Sequence, residues 1–87
     1  MSTVSLTLIG KPGCHLCDDA REVVRSVIAD LPADAPTVTV EERDILQEPD
    51  LHEKYVEDIP VVLLDGRMHT YWRVDPVRLR TALLEAR

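Results

Sequence analysis

The 87-residue chain contains no Phe, one Trp and two Tyr, so large aromatic rings cannot fill its interior. Its core must be built from Val, Leu, Ile and Ala. Positive charge is also scarce: ten Lys and Arg stand against sixteen Asp and Glu, a formal charge of −6. That sign repels phosphate backbones and anionic lipid headgroups. Neither nucleic acid nor a membrane surface is an expected partner. Long apolar runs are missing too, since the richest, Ile59 to Leu64, is interrupted by Pro60 and far too short to span a bilayer. The opening residues Met1-Ser2-Thr3-Val4 have neither the basic nor the long apolar region of a secretion signal, so a cytoplasmic protein is expected. Two cores would need roughly twice this length, and residues 1–87 therefore read as a single domain.

Cysteine is limited to Cys14 and Cys17. A small secreted domain stapled by disulfides usually carries more cysteines, joining segments distant in sequence. A single C-x-x-C unit in a reducing compartment points instead to redox or metal chemistry.

The order of elements follows from periodicity. Val4, Leu6 and Leu8 alternate with Thr and Ser up to Gly10, the pattern of a strand entering a turn. Beyond Lys11-Pro12-Gly13-Cys14-His15-Leu16-Cys17, the residues Ala20, Val23, Val24, Val27, Ile28 and Leu31 recur at helical spacing. Both cysteines then lie in or beside the first helical turn. Thr37 to Arg43 alternates as a second strand, Glu48-Pro49-Asp50 opens a short polar helix reaching about Tyr55, and Val61 to Leu64 suits a strand covered on both faces. Asp65-Gly66 is a hairpin signal leading into a strand from Met68 to Trp72. Asp75-Pro76 caps a last helix with Leu79, Ala82, Leu83 and Ala86 on one face. The order β-α-β-α-β-β-α predicts an α/β domain with a four-stranded mixed sheet. Strands joined through a helix are expected to pair in parallel and the hairpin to be antiparallel.

Thiol chemistry gives the turn its meaning. A thiol attacks a disulfide only as thiolate, and an isolated cysteine is mostly protonated at neutral pH. A helix N-terminus favours an anion by roughly 0.3 to 2 kcal/mol, and Cys14 is the cysteine placed to gain from it. Lys11 could add positive charge, and His15 a hydrogen bond or a charge. Asp18 and Asp19 oppose ionisation beside Cys17. The asymmetry assigns Cys14 as attacking thiolate and Cys17 as resolving thiol. A metal site is not expected, because Cys14, His15 and Cys17 on one turn rarely converge and no second ligand pair exists to finish a tetrahedron. His52 and His69 read as surface residues on a helix and a hairpin.

Lys-Pro-Gly-Cys-x-x-Cys after the first strand, Ile59-Pro60 ahead of the third and Asp75 opening the last helix together resemble the thioredoxin fold, and within it glutaredoxin and its small relatives. The resemblance covers nearly the whole chain. It implies a cis peptide at Pro60 facing the Cys14 turn, with the Ile59 backbone free to pair with an extended segment of a disulfide partner. It also implies Cys14 as nucleophile, with Lys11 near its sulfur and near one end of a bound thiol tripeptide. Two departures stand out. His15-Leu16 replaces the Pro-Tyr or Pro-Phe usual between glutaredoxin cysteines, and Trp72-Arg73 stands where glutaredoxins place a Gly-Gly pair that lets the glutathione backbone approach. Glutathione is therefore not expected to fit closely. Arg73 could pair with a carboxylate, and Trp72 could close the core.

The reading from sequence is a thiol-disulfide oxidoreductase that holds no cofactor. A monomer is expected, acting on a disulfide-containing protein or a small mixed disulfide, with a low-molecular-weight thiol or a reductase as electron donor. The rivals are a redox-inert binding module and a metal or iron-sulfur carrier using Cys14 across a dimer.

Overall fold

The computed structural model describes residues 2–86. Its elements are β1 (Thr3–Gly10), α1 (His15–Ala29), β2 (Thr37–Asp44), α2 (Pro49–Tyr55), β3 (Val61–Leu64), β4 (Arg67–Tyr71) and α3 (Pro76–Glu85). The four strands form one mixed sheet in the order β2-β1-β3-β4. Among the described residues no helix is long and apolar enough to cross a membrane.

Alternation along the strands sorts the aliphatic residues onto two faces. Val4, Leu6 and Leu8 of β1 and Val62 of β3 join Ala20, Val24 and Val27 of α1 and Leu79 and Leu83 of α3 in the larger cluster. Ile9 and Val61 point the other way and pack with Ile45, Tyr55 and the short α2. Val61 and Val62 are both fully buried on successive positions, so β3 is covered on both faces, as its unbroken apolar run predicts.

β1 and β2 pair in parallel, in register from Thr3 with Thr37 to Gly10 with Asp44. The expectation that the second helical connection would also give a parallel strand does not hold: β3 runs antiparallel to β1, with Ile9 opposite Val61. The cause is the length of the connection. The 15 residues of α1 carry the chain about 22 Å back along the sheet, close to the roughly 26 Å of an eight-residue strand. The seven residues of α2 cover only about 10 Å. The chain leaving β2 therefore stays at one end of the sheet and re-enters there, and this brings Pro60 beside the end of β1.

Asp65 and Gly66 both take positive φ, 51° and 84°, the twisted two-residue turn that their identity predicts. β4 begins at Arg67 and ends at Tyr71, so Trp72 lies outside the strand expected from Met68 to Trp72.

His69 also departs from its reading as a surface residue. It is half-buried, and its Nε2 is buried with no hydrogen-bond partner. Burial, and then the positive charge of Arg78, push its pKa below the usual 6.5. The folded state therefore holds His69 neutral while the unfolded chain still takes up a proton. The associated stability is complete above about pH 6.5 and is lost as the pH falls through the lowered folded value. Urea midpoints from pH 7.5 down to pH 5 should decline in the native protein and decline less in His69→Gln. Parallel curves would show that this histidine does not couple to folding.

Candidate functional site

The turn between β1 and α1 is shaped by Gly13, whose φ of +74° is a backbone conformation that side-chain-bearing residues rarely adopt. It delivers Cys14 to the N-cap of α1, where the Cys14 sulfur accepts the Cys17 backbone N–H at 3.3 Å. A thiol thus fills the place usually taken by a Ser, Thr or Asp oxygen. Cys14 is half-buried and Cys17 is 1% exposed.

Burial pushes the Cys17 thiol up to about 11, helped by its hydrogen bond with Cys14 and opposed by the Lys11 backbone N–H and by Arg21. The sequence attributes opposition to Cys17 ionisation to Asp18 and Asp19, and the rise of the Cys17 thiol has a different origin. Asp18 and Asp19 do not cause it: Asp18 is engaged by Arg21 at 2.9 Å, and both aspartates are exposed. Arg21 reaches across to Glu42 of β2 as well, at 2.6 Å. This bridge between helix and sheet edge joins residues distant in sequence, and no local pattern announces it. With Leu8, Gly10, Lys11, Cys17 and Asp44 it borders a hollow of about 380 Å³.

The other sequence-predicted residues divide by position. Lys11 and His15 are exposed, the former on the turn and the latter at the first position of α1. The Ile59–Pro60 bond is cis, as the resemblance implies. The pairing of Ile9 with Val61 sets Pro60 at the same end of the sheet as the cysteine turn. Asp75 caps α3, its carboxylate accepting from Val77 N–H at 2.9 Å and Arg78 N–H at 3.2 Å. An anion arriving at α3 would find those donors already engaged. The Arg73 side chain takes part in no ion pair among the described residues. Nor do three His, Cys, Asp or Glu side chains among the described residues gather as metal ligands.

Trp72 does not close the core; it is 53% exposed. Its backbone sits at φ +67°, which costs a non-glycine residue of order 1–3 kcal/mol. Three hydrogen bonds hold it there. The Trp72 N–H donates to Pro60 O at 2.8 Å and more weakly to Asp58 O at 3.3 Å, and Nε1–H donates to Glu57 O at 3.0 Å. Tyr71, which sequence reasoning missed, meets it edge-on with centroids 5.1 Å apart and is also half exposed. The aromatic pair therefore stands on the loop of the cis proline. Trp72, Arg73 and Val74 also line a small hollow with Leu16 and Ala20 of α1, which links this loop to the start of the cysteine helix.

A C-x-x-C unit at a helix start, beside a cis proline that opens an antiparallel central strand, defines a thioredoxin-fold architecture. A thioredoxin of Halobacterium salinarum, in a single-residue mutant form, superposes with a TM-score of 0.69 at 19% identity over 98% of this chain and 75% of its own. More similar in sequence is the X. campestris protein XcR50, whose crystal structure superposes at TM-score 0.71 with 30% identity, covering 90% of this chain and 93% of that one. The Mycobacterium tuberculosis protein Rv0508 is 36% identical over 80 residues, 92% of this chain and 82% of the relative. The model of the glutaredoxin-like domain family (DUF836) matches residues 5–84. The chain belongs to this glutaredoxin-like family.

Proposed function

We propose that this protein is a dithiol oxidoreductase that reduces disulfides of proteins, or small mixed disulfides, through Cys14 and Cys17. One observation carries the reading: an accessible cysteine whose sulfur caps α1 is hydrogen-bonded to a second, buried cysteine three residues on.

The Cys14 thiolate attacks one sulfur of the partner's disulfide, forming a mixed disulfide and expelling the other sulfur as a thiolate that takes up a proton. Cys17 then loses its proton and attacks the Cys14 sulfur. The partner leaves with its second thiol, and Cys14 and Cys17 remain joined by a disulfide. Two electrons and two protons have passed to the partner. A low-molecular-weight thiol or a reductase restores the dithiol, and no bound cofactor is required. The Ile59 backbone beside Pro60 serves an extended segment of the partner as a pairing edge, and Lys11 and His15 flank the attacking sulfur. Arg73 follows the aromatic pair in the chain, and Asp75 caps α3.

In this scheme the resolving thiol releases the partner, so removing it should arrest the reaction halfway. Cys17→Ser, incubated in a cell extract, is expected to accumulate mixed disulfides that dithiothreitol dissolves, and Cys14→Ser to accumulate none. Equal capture by the two variants would contradict the assignment of roles.

A further inference from the structure

We infer that Gly10, the last residue of β1, is the positioning residue that seats the resolving sulfur. The inference rests on the dithiol reading above. A Cβ built on Gly10 would lie 2.8 Å from the Cys17 Sγ and 3.2 Å from its Cβ. The first distance is well inside van der Waals contact, so the sulfur rests on a surface that exists because position 10 carries no side chain.

The strand cannot yield to make room. Gly10 is paired in register with Asp44 of β2, and its carbonyl accepts the Ile45 N–H at 3.0 Å. Cys17 is the part that must move. Turning its side chain clears the sulfur but leaves the tight approach at its Cβ. The turn also changes where that sulfur lies relative to Cys14, whose own sulfur is held by the Cys17 backbone N–H at 3.3 Å. Closing the disulfide needs the two sulfurs to come within about 2.05 Å of one another. A Cys17 thiol held against Gly10, with its own backbone N–H on the Cys14 sulfur, starts from a fixed place beside Cys14, and its effective concentration toward Cys14 is correspondingly high. An added methyl group lowers that concentration. Gly10 takes no positive φ, so alanine brings no backbone strain and its effect reports the contact with sulfur.

The test uses the native protein, Gly10→Ala, Cys17→Ala and the double variant. In graded dithiothreitol buffers, Gly10→Ala is expected to lower the equilibrium constant for forming the Cys14–Cys17 disulfide at least tenfold, a potential about 30 mV higher for a two-electron couple. In urea, Gly10→Ala should lower the midpoint of the reduced protein when Cys17 is present and lose most of that effect in the Cys17→Ala background. If Gly10→Ala alone fails to fold, recovery of folding in the double variant carries the same meaning. An unchanged equilibrium constant overturns the inference and leaves the dithiol reading standing, and an equal urea shift with and without the Cys17 sulfur does the same. A native protein that forms no Cys14–Cys17 disulfide in any buffer overturns the dithiol reading, and the positioning role falls with it.

Discussion

At pH 7 the thiol left in Cys17→Ser is expected to react with iodoacetamide about a hundredfold faster than the thiol left in Cys14→Ser. Alkylation requires thiolate. With a pKa pushed to about 11 from an ordinary 9.0, Cys17 has roughly a hundredth of the thiolate of an unperturbed cysteine at neutral pH, and at 1% exposure it is also shielded from the reagent. Removing Cys14 abolishes two of the causes of that shift but leaves the largest, burial. Cys14 is half-buried on the helix cap, more accessible than Cys17. The raised value also sets a pH dependence. The reduced fold holds the Cys17 proton more tightly than the unfolded chain does, so this contribution to stability is present below about pH 9 and is lost as the pH rises through 11. Equal alkylation rates in the two variants would remove the basis for naming Cys14 the nucleophile.

Glutathione is expected to be a poor reductant for the oxidised protein, and Trp72→Gly to improve it by roughly tenfold to a hundredfold. The indole stands on the loop of the cis proline, fixed by its bond to Glu57 O, and the α3 donors that could receive a carboxylate are engaged by Asp75. A small ligand excluded from one or two backbone hydrogen bonds forfeits about 1–3 kcal/mol when the groups stay buried, which is the source of the tenfold to hundredfold range. Glycine suits the φ of +67°, so the substitution relieves strain as it clears the surface, though it gives up the Nε1 bond. The measurement is the rate of glutathione-dependent reduction of a small mixed disulfide by both proteins. Fast turnover by the native protein, or no gain in Trp72→Gly, would mean that the indole does not control access.

The parts of this molecule that could be read from its sequence are those governed by local rules. The aliphatic stripe of α1, the alternation of β1, the Asp65-Gly66 turn and the Asp75-Pro76 cap each declare themselves within a few residues. The cysteines were legible for the same reason, since their spacing and their place after a strand are local facts. What escaped is non-local. The direction of β3 depends on how far α2 can carry the chain, and the bridge from Arg21 to Glu42 joins a helix to a strand edge. His69 lost its surface position because α3 packs nearby and brings Arg78 close. The hairpin signal carries the expected strand on to Trp72, and a lone tryptophan usually packs in a core. The positive φ of Trp72 and its bonds to Glu57 and Pro60 follow from the loop at the end of the sheet, which no periodicity records. Asp18 and Asp19 stand beside Cys17 in sequence and suggest opposition to its ionisation; burial, which sequence proximity does not report, is the leading cause of its raised value.

The most direct test of the account is equilibration of the pure protein across buffers of reduced and oxidised dithiothreitol, with the redox state of Cys14 and Cys17 read by quantitative alkylation and mass. The account predicts a single two-electron transition in which both thiols disappear together into one intramolecular disulfide and return together on reduction. Two thiols that stay free in the most oxidising buffer, or that are lost separately, would contradict it.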